Sequence, residues 1–339
     1  METGKSEGGG KMGLGGSRSK CCLLLCLMVV LAFSTLGYSQ EEETQKFPSR
    51  PINFIIPIPP GGPTDLAFRL LGKESEKFLG QTVVAVNKPG AGQSIGMAAI
   101  ATAKPDGYTV GQSGNSGLLL VPHIEKVPYN PVKDFRQIIQ CGGFNFGIFV
   151  KADSSFRSFG DVITYARQNP KKLTYGCTVN SIQYLVLEQI AKKEKVQLTH
   201  IPFKGTPEVQ AAVLGDHILV GLGDFNYSLV EGKQIRILLL LREEPSAEYP
   251  QTPILKDLGY TDVPAPYYLG ACGPKGIPDG IVRKLEEAFA KAMKEPAFVN
   301  GMKELRLPVL HRNSKDLDEY VRRNHEIFGK IFKETQAKK

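Results

Sequence analysis

Short apolar runs alternate with amphipathic stretches along most of the chain, and turns rich in Gly, Pro or Asn separate them. A short apolar run bounded by such turns is typical of a buried strand, and apolar residues three and four positions apart are typical of a helix. The first pair of elements is a strand predicted at residues 52–58 and a helix predicted at residues 64–79. That helix is expected to turn four large apolar side chains inward, namely Leu66, Leu70, Leu71 and Phe78.

The same alternation continues towards the C-terminus. Further strands are predicted at residues 82–86, 108–112, 173–176, 199–201, 218–222 and 235–241, and two apolar runs split by glycines lie at residues 138–143 and 146–150. Further helices are predicted at residues 94–103, 159–168, 183–193 and 208–214. A last helix carries an apolar face made of Leu317, Tyr320, Val321, Ile327, Phe328, Ile331 and Phe332. Alternating strands and helices favour parallel sheets flanked by helices, so the sequence predicts an α/β fold.

The N-terminus has the layout of an export signal and is not expected to belong to the fold. A net basic segment, residues 1–20, precedes the uncharged apolar run 21–36, and small residues follow. This layout predicts a signal peptide at residues 1–39, a disordered polar leader at residues 40–46 and a periplasmic location for the mature protein. Retention of the apolar run as an anchor stays open. No later run reaches about eighteen apolar residues, so the mature chain is not expected to span a membrane.

Length, charge and cysteine content narrow the remaining classes. About 300 of the 339 residues remain after the predicted cleavage. A single hydrophobic core usually supports a shorter chain than this, so the length suggests two domains. Removal of four basic and two acidic residues with the signal lowers the formal charge from +8 to +6, and the remaining charges are mixed, so nucleic-acid binding is unsupported. Cys141, Cys177 and Cys272 survive cleavage without a disulfide framework, and no His or Cys spacing indicates a metal site. No cofactor is expected.

The first strand-to-helix turn offers the clearest candidate chemistry. An apolar strand ends there in Pro60, Gly61 and Gly62, and Thr64 and Asp65 begin the next helical pattern. Glycines leave the backbone uncovered, and a helix N-terminus adds unpaired amide donors and the positive end of its dipole. The turn could therefore seat a small anion on main-chain groups. The alternative is an ordinary strand-to-helix turn in which Thr64 or Asp65 caps the helix.

Three more glycine-rich or small-residue turns, at residues 89–96, 113–116 and 176–181, follow predicted strands. In open α/β sheets ligands bind beyond the carboxyl ends of the strands, so four such turns indicate a shared crevice. A similar junction contains Lys204, which could face an anion, and Thr206, which could cap the next helix.

Two further residues leave alternatives open. Asp224 ends a predicted strand, where it could cap a helix at residues 227–231, accept a hydrogen bond from a ligand, or only hold the turn. Ser94 lies in Gly92-Gln93-Ser94-Ile95-Gly96, which fits the nucleophile pattern G-x-S-x-G, although it does not directly follow a strand and no histidine has a convincing loop setting. Gly90, Gly92 and Gly96 fit a dinucleotide fingerprint only with one residue too many. A secreted α/β serine hydrolase using Ser94 therefore stays an alternative.

Six motifs occur in order along the chain. They are Pro57-x-Pro59-Pro60-Gly61-Gly62-x-Thr64-Asp65, Asn87-x-Pro89-Gly90-Ala91-Gly92, Pro105-Asp106-Gly107-Tyr108-Thr109, Tyr129-Asn130-Pro131-Val132-Lys133-Asp134-Phe135, Pro202-Phe203-Lys204-Gly205 and Gly223-Asp224. Each motif is loose, but the ordered set is highly specific. Over about residues 47–337 the chain resembles the substrate-binding proteins of tripartite tricarboxylate transporters, also called the Bug family.

The resemblance implies a two-domain periplasmic-binding-protein fold of the Venus flytrap, type II-like kind, in which each lobe is a mostly parallel sheet flanked by helices. Lobe 1 is expected to comprise residues 47–145 and 268–339, and lobe 2 residues 146–267. The chain would cross between the lobes near residues 141–150 and 265–273.

The resemblance also implies a small carboxylate in the cleft between the lobes, held by loop amides and bridging waters. A di- or tricarboxylate, an aromatic acid or an acidic amino acid would fit. By motif match, the ligand-binding residues are expected to be Pro60, Gly61, Gly62, Thr64, Asp65, Ser113, Asn115, Thr178, Asn180, Ser181, Phe203, Lys204, Gly205, Thr206 and Asp224. Ile58 stands where the family often has an aromatic residue, and residues 177–184 depart from its usual small-residue run, so the identity of the acid stays open.

The function expected from the resemblance is non-catalytic capture of that acid for a membrane permease. The expected partners are the permease subunits of a tripartite tricarboxylate-type transporter, and the receptor is expected to be a monomer. A ligand-sensing subunit that contacts a sensor kinase is the second alternative to be kept open.

Overall fold

The structure, a computed structural model, describes residue 1, residue 4 and residues 45–178, 181–263 and 268–336. Apart from residues 1 and 4, the predicted signal peptide lies outside the described residues, and so do residues 40–44 of the predicted leader. No helix in the described part of the chain is both long enough and apolar enough to cross a membrane.

Strands and helices alternate along the described residues. The strands are β1 (Ile52–Ile56), β2 (Val83–Asn87), β3 (Thr109–Ser113), β4 (Phe135–Gly143), β5 (Phe146–Lys151), β6 (Thr174–Thr178), β7 (Thr199–Phe203), β8 (Val220–Asp224), β9 (Ile235–Leu240) and β10 (Tyr268–Pro274). The α-helices are α1 (Pro63–Leu79), α2 (Ser94–Ala101), α3 (Phe159–Gln168), α4 (Ile182–Glu194), α5 (Thr206–Leu214), α6 (Tyr227–Glu231), α7 (Asp279–Ala292), α8 (Pro296–Glu304) and α9 (Ser314–Gln336). Short 3₁₀ turns occupy Ala91–Gln93, Val121–His123 and Leu255–Leu258, and Ser116–Leu120 is π-helical.

Two five-stranded sheets share one plan. In the first sheet, with the order β2–β1–β3–β10–β4, β1 pairs in parallel with β2 and β3, and β10 pairs antiparallel with β3 and β4. In the second sheet, with the order β7–β6–β8–β5–β9, β6 pairs in parallel with β7 and β8, and β5 pairs antiparallel with β8 and β9. Each sheet therefore has four strands that point one way and one reversed strand. The predicted α/β fold, with mostly parallel sheets, is confirmed.

The chain crosses between the two sheets twice. It leaves the first sheet at Gly143, the last residue of β4, and enters the second at Phe146, the first residue of β5. It leaves the second sheet at Leu240 and returns at Tyr268, and residues 264–267 of this return lie outside the described residues. The result is a two-lobed α/β protein in which β10, after the return crossing, lies between β3 and β4 of the first sheet. The residue boundaries expected for the lobes stay a prediction.

The inward face of α1 differs from the predicted one. Leu71 is fully buried, but Leu66 and Phe78 are 43% and 39% exposed. Phe68 takes the inward position instead, and its ring stacks on that of Phe54 in β1 with 5.4 Å between the centroids. Because α1 also packs against α7 and α8, its rotation is set by contacts with several elements that its own sequence does not describe.

The C-terminal helix α9 buries most of the predicted apolar face. The buried members of that face are Leu317, Tyr320, Val321, Phe328 and Ile331. Beside them the ring of His325 stacks on that of His123, with 4.3 Å between the centroids, and His123 stacks in turn on Phe332 at 5.9 Å. The Nδ1 of His325 lies 3.0 Å from the carbonyl oxygen of Leu118, to which its N–H donates.

The histidine pair is held in a setting that disfavours protonation. The Nε2 of His123 is buried and has no hydrogen-bond partner among the described residues. Burial lowers the pKa of His123 to about 4, and the charges of His325 and Lys333 act in the same direction. Burial also lowers the pKa of His325. Both rings are therefore neutral at neutral pH.

We expect stability to fall as the pH falls from about 6.5 towards about 4. In this pH range His123 is protonated in the unfolded chain, where its pKa is near 6.5, but stays neutral in the folded protein. Acid therefore favours the unfolded state. His123→Phe keeps a stacked ring and removes the titration, so the variant should lose about 1–2 kcal/mol less than the wild type. Urea denaturation at about pH 7 and about pH 4.5 measures this difference, and equal losses in both proteins would contradict it.

Candidate functional site

Strand pairing brings three of the predicted turns to one edge of the first sheet. β1 pairs with β3 as far as Ile55 opposite Gly111, and with β2 as far as Ile56 opposite Asn87. All three strands point the same way, and neighbouring strands lie about 4.8 Å apart. The turns after β1, β2 and β3 are therefore neighbours at the carboxyl edge of this sheet, where open α/β sheets bind ligands.

The turn after β1 has one position that requires glycine. Gly61 has a φ of 93°, in the region that residues with a side chain rarely adopt. Gly62, with a φ of −78° and a ψ of 163°, is the N-cap residue of α1, and Pro63 is its first helical residue. The alternative in which Thr64 or Asp65 caps this helix is therefore wrong, because both residues lie within its first turn.

Asp65 holds this turn together from the inside. Its side chain is 1% exposed, and its Oδ2 accepts hydrogen bonds from the Gly61 N–H and from Nε of Arg69, both at 2.9 Å. Its Oδ1 accepts a hydrogen bond at 2.8 Å from Nδ2 of Asn87, which also donates to the Ile58 carbonyl at 3.0 Å. Burial alone would raise the pKa of Asp65, but the three donors, Arg69 foremost, outweigh burial and lower the pKa below its ordinary value.

These bonds change which groups of the turn can meet a ligand. The Gly61 N–H already donates to the Asp65 carboxylate inside the protein, and that Gly61 and Asp65 bind a ligand stays a prediction. The first hydrogen bond of α1 runs from the Leu66 N–H to the Gly62 carbonyl at 3.0 Å. Helix geometry gives earlier amides no acceptor inside the helix, so the N–H groups of Gly62, Thr64 and Asp65 have no partner within α1.

Ser113, the last residue of β3, and Asn115, two residues later, are anchored to the start of β10. The Ser113 hydroxyl lies 2.8 Å from the Tyr268 hydroxyl, and Nδ2 of Asn115 donates to the Tyr268 carbonyl at 2.8 Å. Ser113 is fully buried and its hydroxyl pairs with that of Tyr268, and a direct contact between Ser113 and a ligand stays a prediction. Asn115 is half-buried, and its Oδ1 has no partner among the described residues. Pro60 is exposed at the tip of the first turn and has no N–H to offer.

The second sheet presents its turns around β6 in the same way. β6 pairs with β7 as far as Thr178 opposite Phe203, and with β8 on its other side. Thr178 and Phe203 are half-buried at the two strand ends. Asn180 lies outside the described residues. Ser181 caps α4, since its Oγ accepts a hydrogen bond from the Tyr184 N–H at 3.3 Å.

The turn after β7 reaches across to the end of β8. Gly205 is the N-cap residue of α5, so the prediction that Thr206 caps this helix is wrong. A Cβ atom placed on Gly223 would lie 2.9 Å from Oγ1 of Thr206, and this contact together with a φ of 148° requires glycine there. Lys204 has an exposed side chain, and its backbone N–H donates to Oε2 of Glu208 at 3.0 Å.

Asp224 ends β8 with its side chain exposed. Desolvation by the protein around it nevertheless raises its pKa to about 6, while the Phe225 N–H and the charge of Arg306 act in the opposite direction. Of the three roles left open for this residue, capping of the next helix is wrong. Asn226 caps α6 instead, because its Oδ1 accepts a hydrogen bond from the Ser228 N–H at 2.9 Å.

Two residues without any motif join the lobes beside Asp224. The Tyr227 hydroxyl donates to the Arg306 carbonyl at 3.2 Å, and the Arg306 guanidinium lies 5.2 Å from the centroid of the Tyr227 ring. Arg306 has a φ of 58°, which is uncommon for a residue with a side chain. Tyr227 follows β8 and Arg306 follows α8, so the contact spans the two lobes. Because the two residues are 79 positions apart, no local sequence pattern indicates their contact.

Ion pairs also join the lobes where the chain leaves β9 for its return to the first sheet. Arg312, which precedes α9, pairs with Glu243 at 3.2 Å and with Glu244, and both carboxylates follow β9. Arg323 of α9 also pairs with Glu243. Desolvation raises the pKa of Glu243, against the charges of Arg323 and Arg312. These contacts tie the start of the second crossing to the last helix.

The described residues offer little catalytic chemistry near these turns. Ser94 is the first residue of α2 and is 9% exposed, and no hydrogen bond between described residues joins it to a histidine. The thiol of Cys177 lies 3.3 Å from Nε2 of His200, but burial raises its pKa to about 11, so it is not the thiolate that a nucleophile needs. Cys141, Cys177 and Cys272 are buried free thiols. No three His, Cys, Asp or Glu side chains of the described chain are grouped to hold a metal.

Comparison of the sequence with known proteins identifies close relatives. The family described as "Tripartite tricarboxylate transporter family receptor" (TctC) matches residues 67–336. A protein of Cupriavidus necator, called "UPF0065 protein in gbd 5'region", is 36% identical over 298 residues, which cover 86% of this chain and 90% of that protein. Protein BugT of Bordetella pertussis is 27% identical over 285 residues, which cover 82% of this chain and 86% of BugT.

Solved structures share the same fold. A TctC solute-binding protein from Polaromonas, solved without a ligand, matches with a TM-score of 0.77 at 25% identity over 85% of this chain and 99% of its own. MatC from Rhodopseudomonas palustris, solved with bound malate, matches with a TM-score of 0.59 at 22% identity over 84% of this chain and 100% of its own. The second likeness concerns the fold alone.

Asp65→Ala should destabilise the protein by about 2–3 kcal/mol, because three donors around a buried carboxylate lose their acceptor. Glu326→Ala is the matched control, since Glu326 also pairs with an arginine four residues away on a helix, but in an exposed position. That control should cost less than about 0.5 kcal/mol. Urea denaturation near pH 7 measures both, and similar losses in the two variants would show that Asp65 does not hold the turn.

Proposed function

Because the chain belongs to the tripartite tricarboxylate transporter receptor (TctC) family, we propose that it captures a small carboxylate in a cleft between its two lobes and delivers the acid to the membrane permease of such a transporter. The receptor would act in the periplasm and would form and break no covalent bond in its ligand. The observation that carries this proposal is the preorganised turn after β1.

That turn supplies positive potential without a cationic side chain. The amides of Gly62, Thr64 and Asp65 begin α1, and the dipole of this 17-residue helix adds its positive end to them. Each such term is worth about 0.3–1 kcal/mol at an exposed site and up to about 2 kcal/mol in a favourable, partly buried one. A carboxylate that accepts from several of these amides would therefore be held by a handful of modest, well-oriented interactions.

The internal bonds of Asp65 support this role. A turn that had to be ordered by its ligand would lose part of the binding energy to the entropy of ordering. Here the carboxylate of Asp65 already fixes Gly61, and through Asn87 it joins the turn after β1 to the end of β2. The donors are thus in place before the acid arrives.

The second lobe offers hydroxyl and carboxylate groups for the remaining part of the ligand. Ser181 and Thr206 begin helices, and Asp224 ends β8 beside the turn that contains Thr206. Each lobe alone would meet only part of a small acid. A ligand that binds both sets of groups binds the closed arrangement better, and this difference in affinity would drive closure.

Bridging waters would widen the range of acids that the site can bind. Bridging waters can link an acid to polar groups beyond direct reach with little loss of affinity, so one seat can serve several acids. Di- and tricarboxylates, aromatic acids and acidic amino acids all present the carboxylate that the first turn requires. The malate seen in MatC belongs to this set, although that protein shares only the fold with this chain.

Gly62→Val should abolish ligand binding and leave the fold intact. A Cβ on Gly62 would meet no atom within 4 Å, and its φ of −78° suits a residue with a side chain, but the isopropyl group would cover the amides of the seat. The measurement is thermal unfolding with and without acids from the four classes. At a concentration of about 100 times the Kd, an acid stabilises the wild type by about 2.7 kcal/mol, and this gain should vanish in the variant.

The matched control for this experiment is Gly160→Val. Gly160 also lies in the first turn of a helix, α3, and a Cβ there would make only an ordinary contact of 3.5 Å with Oγ of Ser158. This variant should keep the ligand-induced stabilisation. Binding by Gly62→Val at wild-type affinity would place the carboxylate elsewhere and overturn the proposed seat.

Ser94 should not react with a fluorophosphonate probe. The residue is nearly buried, and no histidine among the described residues bonds to it, so its hydroxyl has no base to activate it. Intact-protein mass spectrometry of the treated chain, with a known serine hydrolase in the same tube, makes the test. Labelling that disappears in Ser94→Ala would favour the hydrolase alternative over the receptor.

A further inference from the structure

The two lobes each place an aspartate at the carboxyl end of a sheet, and the two aspartates differ in their partners. The Asp65 carboxylate is 1% exposed and accepts hydrogen bonds from Gly61, Arg69 and Asn87. The Asp224 side chain is exposed, and no side chain of the described residues donates a hydrogen bond to its carboxylate. Asp65 is thus saturated by the protein, whereas Asp224 keeps acceptor capacity.

Arg306, whose charge acts on the pKa of Asp224, makes its own contacts with other side chains. The Arg306 guanidinium lies over the Tyr227 ring, and its Nη1 points to Oδ1 of Asn226 at 3.5 Å. None of the ion pairs between described residues includes Asp224. The exposed carboxylate therefore keeps most of its negative potential at this edge of the second sheet.

The two strand-end regions consequently have opposite polarity. The turn after β1 presents N–H donors and the positive end of α1, and the end of β8 presents carboxylate oxygens. A second carboxylate placed beside Asp224 would be repelled and would leave both sets of oxygens without donors. A group that carries N–H or O–H would instead satisfy the free acceptors, and hydrogen bonds to an ionised acceptor are stronger than neutral ones.

We propose that Asp224 selects acids that carry a hydrogen-bond donor at the end away from the carboxylate seat. The preferred ligands would be acids with an amide or ammonium end, and plain dicarboxylates would bind less well. This inference rests on the proposed function, because it takes the seat after β1 as the site of the first carboxylate.

Lys204 is the residue that argues for the opposite preference. It lies on the turn after β7, and its exposed ammonium could attract a second carboxylate. The turn that carries Lys204 reaches the end of β8 at Thr206, but no ion pair between described residues joins Lys204 to Asp224. The position of the Asp224 carboxylate is fixed by the end of β8. The ammonium of Lys204 is carried by a flexible four-carbon side chain and is strongly hydrated, so its position is less well defined.

Pairs of acids that differ only at one end test the inference. Succinate with succinamate, glutarate with glutaramate, and adipate with adipamate each exchange one carboxylate for a neutral amide of the same shape. Calorimetric titration near pH 8 should give the wild type at least a tenfold tighter Kd for the amide in the pair of best length. Asp224→Asn should reduce that ratio to threefold or less, because an asparagine amide can donate to a carboxylate as well as accept from an amide.

Two control variants test whether the preference depends on the charge of Asp224 or on a change of charge elsewhere in the protein. Asp216→Asn removes an exposed carboxylate that pairs with Lys151 near the opposite end of β8, and it should leave the ratio unchanged. Lys204→Gln should also leave the amide at least tenfold ahead. A ratio that collapses in Lys204→Gln but survives in Asp224→Asn would overturn the inference.

The remaining outcomes distinguish this inference from the proposed function. If diacids bind the wild type as tightly as amides or more tightly, and Gly62→Val abolishes their binding, the seat stands and the role of Asp224 is refuted. If no acid of any pair binds, the role of Asp224 in selecting such acids is refuted. If tricarboxylates, aromatic acids and acidic amino acids also fail to bind, or if Gly62→Val leaves binding unchanged, the proposed function fails and the inference falls with it.

Discussion

A buried carboxylate, that of Asp65, organises the turn on which the candidate site depends. An ionised carboxylate is costly to bury unless donors surround it, so the chain between β1 and α1 is confined to the conformation in which Gly61, Arg69 and Asn87 all reach it. The φ of 93° at Gly61 is part of that conformation. The proposed anion seat, made of the amides that begin α1, would thus depend on the donors that surround the buried Asp65 carboxylate.

The shared plan of the two sheets extends this constraint to the whole molecule. Each sheet contains one reversed strand, and both reversed strands adjoin a crossing of the chain. Tyr268, at the start of β10, bonds to Ser113 and Asn115, so the return crossing is fixed to a turn at the carboxyl edge of the first sheet. Pairs such as Tyr227 with Arg306 meet across the lobes. A movement of one lobe would therefore be felt at the turns where the ligand is proposed to bind.

Sequence patterns located most strands and helices but not the residues that end them. Period and turn residues placed α3 at its observed bounds and α1 within one residue, because hydrophobic spacing depends on local geometry alone. The alternative N-cap at Thr64 or Asp65 and the N-cap suggested at Thr206 were wrong, since Gly62 and Gly205 take the non-helical backbone conformation instead. β10 was not predicted as a strand, because its small residues Gly270, Ala271 and Gly273 lack the β-branched signature.

By itself the sequence determined the α/β alternation, the turns that follow the strands, and the ordered motifs from which the family was identified. These features depend on residues near one another in the chain, where propensity and spacing act directly. Only the tertiary structure decided which donors saturate Asp65, why Asp224 remains open, and that Arg306 meets Tyr227. Hydrogen-bond partners distant in sequence are selected by how sheets and helices pack, and that selection is made by the fold as a whole and not by any segment alone.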